Sequence, residues 1–245
     1  MRFLFATTMN EKQLSLQPRL RCIADCVRRG AKLADIGTDH GYLPVWLLQN
    51  GRIESAVASD INAAPLRHAR RTAEEYGVAE RIDLRLCAGL EGFTAQDADT
   101  IAVAGMGGET IIAILNAAPW LRQSNAVLLL QPMTKAELLR RWLTENGFYI
   151  ASERLVRDKG TIYAVIEAKP GASAPLTNAE AWCGAGLLRD PLYGEYALDR
   201  AGKLERAAMG LRQAKELDNA LIAALEGDAA ELRKKIKEWE DANRT

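Results

Sequence analysis

The chain has 245 residues, 48% of them hydrophobic, with 32 basic and 32 acidic side chains. That length supports one sizeable core plus a smaller appendage. The balanced charge excludes a pervasively basic nucleic-acid binder but leaves room for a local basic patch.

The opening MRFLFATT lacks the apolar length and cleavage site of a secretory signal, and no run approaches the ~20 apolar residues of a membrane span. A cytoplasmic location is expected. Met9 reads as a candidate for the real start, because the residues before it fit no structural pattern. Residues 17–29 predict an amphipathic helix, with Leu20, Ile23, Ala24 and Val27 on one face and Gly30 as its stop. Strands are expected at 31–37, 53–60, 81–86, 100–105 and 125–132, the last ended by Pro132. Helices are expected between them at 42–50, 62–76, 108–117 and 134–145. The β-rich runs 148–156 and 161–168, joined by Arg157-Asp158-Lys159-Gly160, form a hairpin signal.

Strands alternating with helices at these lengths imply βαβ units and a parallel sheet, with the hairpin as an antiparallel edge. The fold expected is α/β, a Rossmann-like sheet of the class I methyltransferase type, although other doubly wound folds share this strand count. Pro170-Gly171-Ala172-Ser173-Ala174-Pro175 marks a linker. Beyond it β signals vanish. Residues 192–226 place Leu204, Ala207, Leu211, Ala214, Leu221 and Leu225 near heptad spacing. Gly227-Asp228 breaks the run, and 229–240 continue with Leu232, Ile236 and Trp239 on one face. This predicts a C-terminal α-helical coiled-coil hairpin. The domains expected are 9–170 and 176–245.

Charge is uneven. Residues 1–34 carry seven basic and two acidic side chains, whereas 171–245 carry eleven and thirteen. Such clusters can be solvated helix faces. Four cysteines (Cys22, Cys26, Cys87, Cys183) form no disulfide framework and are expected in the core. Two histidines are few for a zinc site, and no metal is expected.

The first strand ends in LADIGTDHGYLP (33–44). A glycine directly after a parallel strand lets the backbone turn sharply and approach a ligand. The pattern G-x-G-x-x-G is absent, because Thr38 follows Gly37 and the next glycine is Gly41; this argues against NAD or FAD. A nucleoside sulfonium such as S-adenosylmethionine carries no phosphates and needs fewer glycines. Asp60 closes the second strand 23 residues after Gly37, where a carboxylate can accept both ribose hydroxyls. Alone, such an Asp reads as a helix N-cap. The fourth strand ends in AGMGGET (104–110), whose glycines Gly105, Gly107 and Gly108 make a bare shelf. Gln131-Pro132 ends the fifth strand and could offer an amide to a base edge.

With ADIGTDHGYLP (34–44), SDIN (59–62), AGMGGE (104–109), LLQPM (129–133) and GTIYAVIEA (160–168), the chain resembles the TrmK-type bacterial tRNA (adenine(22)-N1)-methyltransferases. The resemblance spans roughly residues 14–168, and the helical tail fits the family's C-terminal coiled coil less specifically. It implies methyl transfer from S-adenosylmethionine to N1 of adenine 22 in tRNA. It also implies that Asp35, Gly37, Thr38, His40 and Gly41 line the methionine side of the cofactor. Asp60, Ile61 and Asn62 would hold the ribose and adenosine, Gly89 and Leu90 would lie beside the adenine, and Gly105 and Met106 would lie between cofactor and substrate. Family members often carry Asp or Asn where this chain has Ala88.

Adenine N1 has a lone pair and no proton to lose, so the step needs alignment rather than a general base. Asp39 is the first candidate for contacting the target amino group or new positive charge, with Tyr42 or His40 shaping the pocket. Asp39 also reads as a helix cap, His40 as a structural histidine and His68 as a surface residue. Gly107, Gly108, Gln131 and Pro132 are candidates for the substrate side. Arg19, Arg28 and Arg29, with Arg21, are candidate tRNA phosphate contacts. Lys234, Lys235 and Lys237 could let the helical hairpin touch RNA, although dimerisation or capping is its alternative role. Rival readings are a methyltransferase of a small molecule or protein, and a non-catalytic RNA-binding module on the same fold.

Overall fold

In a computed structural model describing residues 13–214 and 217–242, the predicted alternation folds into a seven-stranded sheet of order β3-β2-β1-β4-β5-β7-β6. The expectation at Met9 lies outside the described residues. The chain divides into two compact units, residues 1–102 and 103–245. The division falls inside β4 (Thr100–Gly107) rather than at the 170–178 linker.

The first unit holds α1 (Pro18–Cys26), β1 (Leu33–Ile36), α2 (Tyr42–Gln49), β2 (Ala56–Asp60), α3 (Ala63–Glu75) and β3 (Ile82–Leu86). Its strands are parallel, with Leu33 opposite Ala56 and Ala56 opposite Ile82, so their carboxyl ends share one rim. Every residue of β1 is buried, as expected of a strand covered on both faces. On α1, Ile23 and Ala24 are buried and Leu20 is half-buried. The helix ends at Cys26, before Gly30, because Val27 turns to an extended conformation and buries its side chain.

The second unit holds α4 (Gly108–Asn116), β5 (Val127–Thr134), α5 (Ala136–Glu145), β6 (Phe148–Asp158), β7 (Thr161–Pro170), α6 (Asn178–Cys183), α7 (Tyr193–Arg212) and α8 (Asn219–Ala242). Pro132 does not end β5. The pairing of β5 with β7 covers Leu128 to Leu130, so the missing proline N–H falls beyond that ladder. β6 and β7 pair antiparallel down to Asp158 opposite Thr161. The two loop residues Lys159 and Gly160 both have positive φ (48° and 81°), the two-residue turn that matches strand twist.

The helical tail is an antiparallel hairpin: Arg212 pairs with Glu226 and Arg233 with Glu205. α7 ends at Arg212 and α8 begins at Asn219, so Gly227-Asp228 lies inside α8 rather than at a break. Asp218 caps α8, its carboxylate accepting the Leu221 N–H at 2.9 Å, and Gly227 sits exposed inside the helix. The buried seam is Ala197, Ala201, Leu204 and Ala208 against Ile222, Ala229, Leu232 and Ile236. Ala207, Ala214 and Leu221 of the predicted face are exposed, and Leu211 and Leu225 are half-buried. Gly194 leaves space for Trp239, whose ring a Cβ there would meet at 2.5 Å.

The tail is tied down by Arg140 of α5. Its side chain is fully buried, as is that of Glu153, which it meets at 2.7 Å; it also donates to the carbonyls of Ala181 and Trp182 in α6. Asp228 accepts from Asn178 and the Trp182 indole. These links make the hairpin part of the second unit. Only Cys183 among the cysteines is buried, and burial pushes its thiol up to about 12; Cys22, Cys26 and Cys87 are half-buried, contrary to a core placement.

Candidate active site

β1 delivers its motif into a loop built on two left-handed glycines, Gly37 (φ 74°) and Gly41 (φ 67°). The N–H groups of Gly37 and Thr38 both donate to the Ser59 carbonyl, at 2.8 and 2.9 Å, which fixes the loop against the end of β2. Gly41 is bare because α3 passes over it: a Cβ there would meet that of Ala69 at 3.1 Å. Asp35 is buried, and that burial pushes its carboxyl up to about 6, with the adjacent Thr38 hydroxyl pulling the other way. The Thr38 side chain is itself buried beside that carboxyl.

Asp60 is half-buried at the end of β2. One carboxylate oxygen accepts the Asn62 N–H at 2.7 Å, closing a local turn. It does not cap α3, whose N-cap is Asn62 without a side-chain bond. Among the described residues its other oxygen accepts no hydrogen bond. Beside it Ile61 is 67% exposed and Leu86, at the end of β3, is 62% exposed. These are two apolar side chains on a rim where a flat aromatic ligand would cover them. Leu86 was not singled out from the sequence, although the exposed apolar end of a parallel strand is the signal. Asn62 is exposed, Gly89 is half-buried with φ 55°, and Leu90 is buried. Ser59 Oγ donates to the Gly89 carbonyl, tying the β3 loop to β2. Ala88 is exposed.

Asp39 does not cap α2; that cap is Gly41. The Asp39 side chain is 77% exposed, with Oδ2 3.5 Å from His40 Nε2. His40 is sandwiched between Tyr42 (centroids 5.1 Å) and His68 (4.9 Å), with both pairs near-parallel. Asp39, His40 and His68 place potential ligand atoms within 4.8 Å of one another, a grouping the sequence spacing does not suggest. Face-to-face imidazoles run their in-plane lone pairs parallel rather than convergent, so this is the geometry of a ring stack.

In the second unit the glycine shelf separates into roles. Gly105 is exposed with φ 77° and open space at its Cβ position. Met106 and Gly107 are half-buried. Gly108 is buried, and a Cβ on it would collide with the Lys135 carbonyl, so packing alone requires a glycine there. Gln131 does not present its amide outward. It is 1% exposed, its oxygen accepts the Gly105 N–H at 3.1 Å and its nitrogen donates to the Pro132 carbonyl. It braces the shelf, and Pro132 beside it is buried. Of the predicted phosphate contacts, Arg28 and Arg29 are exposed and Arg19 half-buried. Arg28 is paired with Asp99 and Arg21 with Asp25.

The family model described as "Methyltransferase domain" matches residues 16–166. A Bacillus subtilis tRNA (adenine(22)-N(1))-methyltransferase is 36% identical over 163 residues, covering 66% of this chain and 68% of that protein. The chain belongs to this methyltransferase family. Solved structures agree over nearly the whole length. Streptococcus pneumoniae Sp1610 in complex with S-adenosyl-L-methionine is 31% identical with a TM-score of 0.76, over 87% of this chain and 97% of that one. TrmK of M. capricolum in complex with S-adenosyl-homocysteine is 27% identical with a TM-score of 0.76, over 92% and 99%. The methyltransferase's helical tail therefore has counterparts in related structures. Among the described residues, no helix is long and apolar enough to cross a membrane.

Proposed function

We propose that this protein transfers the methyl group of S-adenosyl-L-methionine to N1 of adenine 22 in cytoplasmic tRNA. The observation that carries the reading is the donor set on the rim of β1–β3. It comprises a left-handed Gly37, a buried Thr38, an Asp60 carboxylate with one oxygen outside the local turn, and exposed apolar Ile61 and Leu86. These fit a nucleoside bearing ribose hydroxyls, an aromatic base and a cationic tail. The family relationship and the cofactor-bound relatives support the same ligand.

When bound, the cofactor supplies an electrophilic methyl on a sulfonium. Asp60 accepts the ribose hydroxyls, and Ile61, Leu86 and Leu90 flank the adenine. Asp35 and the 37–41 loop face the methionine end, and Asp35 in its ionised form favours a positive tail. Gly105, braced by Gln131, leaves room for close backbone approach. The target base must be unpaired to expose N1. Its lone pair attacks without deprotonation, so the protein aligns it rather than acting as a base. Asp39, with its exposed carboxylate beside His40, receives the positive charge left on the methylated adenine, and Tyr42 shapes the pocket wall. The 176–245 hairpin provides a further tRNA contact through Lys234 and Lys237, both exposed.

The test is radiolabelled methyl transfer to unmodified tRNA and to the same tRNA with adenine 22 changed to guanine. Label only in the first supports the assignment. Equal label in both, or label in neither, overturns it.

A further inference from the structure

α3 buries Ala69, Thr72 and Ala73, one side of the helix. The opposite side carries Arg67, Arg70 and Arg71, at i, i+3 and i+4, all exposed. The only acidic side chains of α3 are Glu74 and Glu75 at its C-terminal end, and neither forms an ion pair with these arginines among the described residues. Among the described residues none of these three arginines takes part in an ion pair. Some other exposed cations are paired, as in Arg28 with Asp99, Arg157 with Glu195 and Arg233 with Glu205. Three adjacent guanidinium groups without counter-ions repel one another. A row of this kind gains most from a polyanion.

The row is also fixed in place. Ala69 lies against Gly41, and His68, one residue from Arg67, stacks on His40. The arginines therefore stand on the helix that is clamped to the 39–42 loop, beside the residues proposed to receive the target base.

We propose that the Arg67–Arg70–Arg71 face of α3 binds the phosphodiester backbone of the tRNA next to the target nucleotide. This rests on the tRNA reading above. It adds α3 as a phosphate contact of the first unit to the α1 region, where Arg21 and Arg28 are paired and Arg29 is exposed. Planar guanidiniums suit phosphate oxygens, and contacts to the backbone position the strand without reading its sequence. His68 is a positioning residue here, holding α3 to the loop through His40.

The experiment compares wild type with the triple variant Arg67→Ala, Arg70→Ala, Arg71→Ala. Ala preserves helix propensity, and circular dichroism with thermal melting checks the fold. Binding of unmodified tRNA is titrated by fluorescence anisotropy at several salt concentrations, and S-adenosyl-L-methionine binding is measured by calorimetry. The triple variant is expected to lose about 10- to 100-fold in tRNA affinity near 0.15 M salt, and about 2 to 3 from its log–log salt slope. Its cofactor affinity and melting should match wild type. Restoring the charges with Lys at all three positions should recover most of the salt slope. Wild-type tRNA affinity and slope in the triple Ala variant would overturn the proposal while leaving the methyltransferase reading intact. Failure of the wild-type protein to bind tRNA at all would overturn both.

Discussion

Replacing Asp35 by Asn should stabilise the protein, and increasingly so as pH rises. Asp35 is 7% exposed, and burial raises its carboxyl from 3.8 to about 6. A raised acid holds its proton more tightly in the fold than in the unfolded chain. Its favourable contribution is complete below the unfolded value of 3.8 and is lost as pH climbs through about 6. The higher carboxyl value corresponds to about 3 kcal/mol at pH 8, about half of that at pH 5 and little at pH 4. Asn keeps the shape of the protonated acid and does not ionise, so the variant escapes that loss. Urea unfolding of both proteins at pH 4, 5 and 8 measures it. With an m-value of about 2–3 kcal/mol/M, the Asn variant's midpoint should exceed wild type by about 1 M at pH 8, and the two should nearly coincide at pH 4. Cofactor affinity should fall in the same variant, because the cationic tail loses its counter-charge. An Asn variant less stable than wild type at pH 8, or a gap independent of pH, would refute the reasoning about burial.

Asp60→Ala should weaken cofactor binding by at least about 100-fold, the loss of two hydrogen bonds to a charged acceptor, with melting little changed; calorimetry and a thermal melt read the two effects. Arg140→Ala leaves Glu153 buried without its partner and should cost about 3–5 kcal/mol in chemical denaturation, whereas the paired change Arg140→Met with Glu153→Leu should recover most of it. Gly108→Ala drives a Cβ into the Lys135 carbonyl and should lower the melting temperature by several degrees, roughly the effect of a 1–3 kcal/mol overpacking strain. Ala88→Asp adds an acceptor next to Gly89 and Leu90, the residues proposed to lie beside the adenine, and should tighten cofactor binding by about 3- to 10-fold, a single hydrogen bond's worth.

Local chemistry explains which parts of this structure can be read from the sequence. Lys159-Gly160 between two β-rich runs leaves few options, and the hairpin closes there. The Gly37 and Asp60 spacing marks a parallel pair with its loop, and the structure has both on one rim. The helix break was misplaced because glycine is a poor helix former but a tolerable one when exposed, as Gly227 is. The real start of α8 is written in the Asp218 cap. The short α6 went unread although Thr177 and Glu180 spell its capping box. Gln131 looked like a reader of bases because its sequence position is right. Only the fold shows its amide turned inward to Gly105. Arg140 and Glu153 lie on different elements, and no local pattern announces their pairing. The Arg67, Arg70 and Arg71 row is visible as charge, but its lack of counter-ions is a property of the folded chain.

The most direct test is a crystal structure of the protein with S-adenosyl-homocysteine bound. The ribose hydroxyls should lie on Asp60, the adenine against Ile61 and Leu86, and the amino-acid tail at the Gly37–Gly41 loop. A nucleoside bound away from the ends of β1 and β2, or one that leaves Asp60 untouched, would contradict this placement.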